Sequence, residues 1–125
     1  MVHSFTIIFG LVFAATHVIA EWLSLYWYYS WLDMPMHLLG GVVVMLMLAS
    51  LRSMGTPLRH LSRIGSVVLL SMILVCWEVF GIYRFGGLKP DFWSDTFLDL
   101  LCGVIGIVGG YVLVRALERI DTMTK

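Results

Sequence analysis

The chain has 125 residues, of which 60% are hydrophobic and only 13% charged, and its eight basic residues balance eight acidic ones to a formal net charge of zero. A mean hydropathy of +0.93 is far above that of a soluble domain and indicates a membrane protein. With no net charge, and with its basic residues in short connections rather than in a stripe, nucleic acid is excluded as a partner.

A hydrocarbon core of about 30 Å requires about 20 mostly apolar helical residues. The first run that qualifies is 4–25. It lacks the basic leader and the small-residue cleavage site of a signal peptide, so a mature helix is expected there. Within it HVIAE sets His17 and Glu21 four residues apart. The aromatic connection YWYYSWLD follows, and then a second span, 34–51, opened by DMPMH. Asp33 and His37 share one helical face, and Pro35 in the first turn also makes Asp33 a natural N-cap.

The turn-rich basic stretch RSMGTPLRHLSR leads to a third span, 64–83, which carries Glu78 in CWEVF. The Gly-Gly and Lys-Pro breakers of RFGGLKPDFWS then precede the fourth span, 95–116. Ser94 is a candidate cap for it, and Asp95 favours the positive helix end. Asp95, Asp99, Gly103, Gly106 and Gly110 run down one stripe at spacings of three and four. Such a small-residue stripe allows close backbone approach, inside the bundle or between copies of the chain as a homo-oligomer face. Short links make sequential helices antiparallel neighbours. The expected fold is an all-α, polytopic four-helix up-down bundle with residues 1–125 as a single domain.

Orientation follows from the basic residues. Arg52, Arg59 and Arg63 in one connection and Arg115, Arg119 and Lys125 near the end outnumber Arg84 and Lys89 in the opposite loop. This bias predicts both termini on the cytoplasmic side of the cell (inner) membrane, with Arg84 and Lys89 anchoring at the far interface. Tyr26, Trp27, Tyr28, Tyr29, Trp31, Phe92 and Trp93 then form the outer aromatic belt.

Ionisable side chains inside a span cost about 2.5–3.5 kcal/mol each on insertion scales and mark functional positions. At a rise of about 1.5 Å per residue, Glu21, His37, Glu78 and Asp99 each fall about 5–10 Å inside the outer interface. Asp33 and Asp95 fall nearer the belt, and His17 nearer the midplane. Carboxylates and an imidazole at one level suit a divalent metal or acid–base catalysis. On this reading His37, Asp99 and Glu78 are the metal ligands or catalytic groups. Asp33, Asp95, Glu21 and His17 orient them. Cys76 and Cys102 sit in apolar runs and are expected to pack as small hydrophobes.

The ordered motifs D33MPMH37, W77E78VF and D95TFLD99LLCGVIG106 resemble those of small VanZ-like and YjdF-like integral membrane proteins over residues 30–110. One glycine of that pattern is displaced, with Cys102 in its place and Gly103 next. The resemblance implies Asp33, His37, Glu78, Asp95 and Asp99 as the family's polar positions. Three functions stay open: an enzyme on a lipid-linked envelope substrate, a transporter or proton-relay component, and a structural membrane protein held by a polar network. For the second, the inner halves of the spans offer no acidic, basic or histidine step.

Overall fold

The computed structural model describes residues 1–85 and 92–123, without the side chains of residues 63, 84 and 85. The Arg84 side chain and Lys89, expected as interface anchors, therefore lie outside the described residues, as do the Gly-Gly and Lys-Pro breakers. Helix α1 spans Val2–Trp22, the one-turn α2 Leu25–Tyr28, α3 Asp33–Ser53, α4 Arg63–Phe85 and α5 Phe92–Met123. Short 3-10 turns at Ser30–Leu32 and Pro57–His60 lead into α3 and α4. There is no strand among the described residues.

The four long helices each contain a segment long and apolar enough to cross a membrane. Their outward surface is apolar almost throughout, with Ile7, Leu11, Val18, Val67, Met72, Val108 and Val112 all more than half exposed. A contiguous apolar mantle of this kind is at home against lipid and not against water.

Two boundaries differ from expectation. The first helix stops at Trp22 because Ser24 takes a left-handed conformation, with φ 54° and ψ 31°, which a right-handed helix cannot continue. The last helix outruns its apolar stretch and reaches Met123. Val114 and Leu117 prolong its buried stripe while Arg115, Glu118 and Arg119 point away from it, so an amphipathic end follows the fully apolar part.

Helix α3 is central. Gly41 lies on Gly103 and Gly106, Val42 and Met45 lie on Gly110, and Leu46 meets Val114 and Leu117. Both chains advance together, so α3 and α5 are parallel. On the other side of α3, Phe13 lies at Gly40, Thr6 donates to the Leu46 carbonyl at 3.1 Å, and His3 meets the Ser50 hydroxyl at 2.5 Å. That order is antiparallel, as is the pairing of His37 with Glu78 and of Arg52 with Ser66 between α3 and α4.

The up-down order is therefore present, but chain order does not set closeness of packing. The second and fourth long helices make the most intimate contact, and α4 leans sparsely on both. A seam in which backbones touch is worth more than adjacency in sequence when no hydrophobic force drives helices together in lipid. Within the chain, Gly106 and Gly110 lie against α3 and Gly103 lies against Leu74 of α4.

Candidate functional site

The bundle has an aromatic end, where α1 finishes and α3 and α5 begin, and a basic end opposite. The ionisable residues gather at the aromatic end around His37. Asp33 is the first residue of α3, and the N-cap position expected of it belongs to Leu32. The Asp33 carboxylate lies over the ring one turn along, with Oδ1 3.5 Å from His37 Nε2. Ser94 likewise falls inside the first turn of α5 rather than before it, which removes it from the cap position.

Asp99 on α5 reaches the same ring nitrogen, with Oδ2 3.8 Å from Nε2. It can do so because the glycine seam one and two turns further on holds α3 and α5 together. A Cβ on Gly41 would run into the Gly103 carbonyl oxygen, and one on Gly106 into that of Leu38. Glu78 on α4 approaches from the other side, with Oε1 3.4 Å from His37 Nδ1. Asp99 is 5% exposed, while the side chains of His37 and Glu78 are 10% and 15% exposed, so the centre is removed from bulk water. Asp95, a turn before Asp99, lies within its electrostatic reach, as do Asp33 and Glu78.

Oxygen and nitrogen atoms of Asp33, His37 and Asp99 all lie within 4.8 Å of one another. Ligands bound at about 2.0–2.2 Å around a tetrahedral ion stand roughly 3.3–3.6 Å apart. The two separations from His37, 3.5 and 3.8 Å, come within a few tenths of an ångström of that spacing, and the third lies within 4.8 Å. Two carboxylates and one imidazole form a mixed oxygen and nitrogen set suited to zinc, manganese or iron(II). Three protein ligands also leave an open position, the usual state of a catalytic metal.

A small cavity adjoins the ring, walled by Phe13, His17, Tyr26, Asp33, Met36 and Trp77. His17 does not reach His37. Its Nδ1 is 2.9 Å from the Tyr26 hydroxyl, and its ring stacks on Phe13 and meets Trp77 edge-on. Burial, and then the negative charges of Asp33 and Glu21, push the Tyr26 hydroxyl up from its ordinary 10 to about 12. Glu21 thus belongs to the Tyr26 side of the cavity.

Of the four residues expected at one depth, His37, Glu78 and Asp99 meet while Glu21 acts on Tyr26, and Asp33, one turn further out, reaches His37 along its own helix. Tyr26 and Trp77 are the residues that depth alone misses. Tyr26 is one of five aromatic residues between positions 26 and 31, and nothing in their spacing distinguishes the one that turns inward. Cys76 is exposed on α4 and Cys102 half-buried, and both are free thiols. Comparison with protein-family models, curated proteins and solved structures finds no match for this chain.

Proposed function

We propose that the chain is an integral membrane protein whose functional centre is a divalent-cation site in the outer half of the bilayer, formed by Asp33, His37 and Asp99. The observation that carries this reading is the convergence of three ligand atoms, from two helices, within 4.8 Å of one another. Its setting also supports it. Uncompensated carboxylates are costly so far from water, and a divalent ion offsets their mutual repulsion while offering a Lewis acid at the open position.

The chemistry that suits this depth is performed on a lipid-linked substrate at the outer leaflet, with both termini of the chain in the cytoplasm. The order of the motifs, which resembles that of VanZ-like and YjdF-like proteins, supports a site at these positions. A second reading, a network that only fixes helix pairing, is favoured by one observation. Among the described residues no buried side-chain polar atom lacks a hydrogen-bond partner.

Elemental analysis of purified protein, wild type beside His37→Ala, separates the two. Bound zinc, manganese or iron in the wild type and its loss in the variant support the metal site. Metal-free wild type that remains so after dialysis against each of these ions overturns it and leaves the network reading.

A further inference from the structure

We infer that Glu78 is a positioning residue for the metal site and not one of its ligands: it holds the Nδ1 proton of His37 and so aims Nε2 at the ion. This rests on the proposed metal site. The geometry on the two sides of the ring differs in kind. Nε2 faces two carboxylates, Asp33 on its own helix and Asp99 on α5, at 3.5 and 3.8 Å. Among the described residues, Nδ1 faces only Glu78, at 3.4 Å. The two nitrogens of an imidazole point away from each other, so an ion on Nε2 lies across the ring from the Glu78 carboxylate. Glu78 and the ion cannot then share a face of His37.

A neutral imidazole carries one proton, and the nitrogen without it is the one that binds a metal. With an ion between Asp33 and Asp99 occupying the Nε2 lone pair, the one ring proton sits on Nδ1, where the Glu78 carboxylate accepts it, and donation to an anion is stronger than to a neutral acceptor. Partners of this kind fix the ring and raise its basicity as a ligand, and their loss typically costs about 10–100-fold in metal affinity. The arrangement also assigns a task to α4, the helix with the sparsest packing. It delivers one carboxylate to the far side of a ring that α3 and α5 otherwise hold.

The test uses full-length protein in detergent micelles, loaded with zinc for affinity and with cadmium-113 for NMR on ring-15N-labelled histidine. The expected results are three: 15N–113Cd coupling at Nε2 of His37, a loss of zinc affinity in Glu78→Gln smaller than in Glu78→Ala, and a loss of about 10–100-fold in Glu78→Ala. Glutamine still accepts the Nδ1 proton through its amide oxygen, so a purely electrostatic or ligand role would be exposed by this variant. Coupling at Nδ1, or loss of zinc from Glu78→Gln as complete as from His37→Ala, overturns the inference while leaving the metal site standing. Failure of wild-type protein to bind either ion overturns both, and wild-type affinity in Glu78→Ala overturns the positioning role alone.

Discussion

At the scale of single residues, Tyr26 links the cavity to the carboxylates around it. Its hydroxyl sits 2.9 Å from His17 and is held protonated to about pH 12 by burial and by Asp33 and Glu21. In the unfolded chain it titrates near 10. A group whose folded value is raised contributes stability that is complete below the unfolded value and is lost as pH climbs through the folded one. The stability of wild-type protein relative to Tyr26→Phe should therefore be constant below pH 10 and fall between pH 10 and about 12. Thermal unfolding in micelles, followed by circular dichroism from pH 8 to 12, gives the comparison. The other tyrosines are common to both proteins, so parallel curves would show that Tyr26 is not held in this way. The sequence announces the polar residues here more clearly than the aromatic ones. An acidic or histidine side chain in a span stands out because it is costly, whereas a tyrosine at the interface is ordinary wherever it points.

At the scale of elements, the site depends on the α3–α5 seam. Gly41 and Gly106 admit no Cβ, since each would meet a backbone carbonyl oxygen that cannot move aside without parting the helices. Gly109, one residue before Gly110, has nothing within 4 Å of such an atom. Gly106→Ala should lower stability by about 1–3 kcal/mol or more through overpacking, and it should weaken metal binding as Asp99 retreats from His37. Gly109→Ala should be neutral or stabilising by up to about 1 kcal/mol, because alanine is the better helix former. Melting temperature and zinc affinity measured on both variants distinguish a seam that carries the site from one that is merely tolerated; equal effects would refute the close approach. The stripe of Asp95, Asp99, Gly103, Gly106 and Gly110 is visible in the sequence as a face. Its partner is not, because loop length favours the neighbouring helix in the chain and only the matching glycine at position 41 selects α3. Span ends differ from expectation for a related reason: hydropathy reports where an apolar stretch ends, and α5 continues past it to Met123 as an amphipathic helix.

At the scale of the whole molecule, the two ends of the bundle are built for different surroundings. The basic end is closed by a core of Leu46, Val114 and Leu117 with Val2, Phe5 and Phe9 around it. Beyond this core, Arg52 donates to the Ser66 hydroxyl at 2.9 Å and the Leu61 carbonyl at 3.0 Å. Among the described residues no acidic group takes part in that clasp, and its guanidinium is suited to a membrane–water interface. The aromatic end is open by comparison, with Trp22, Trp27 and Trp93 each more than four-fifths exposed around the carboxylates and His37. A polar centre under an aromatic collar can exchange ions and headgroups only with the water on its own side. Orientation is therefore a functional property of the proposed site, since it would decide which compartment supplies its metal. After both native cysteines are replaced by alanine, a membrane-impermeant maleimide applied to intact cells should label Trp31→Cys and spare Thr56→Cys. A bilayer-impermeant chelator in the same experiment should strip the metal from outside without lysis. Labelling of Thr56→Cys alone would place the aromatic end, and the site with it, in the cytoplasm, and would exclude an outer-leaflet substrate whatever the metal content.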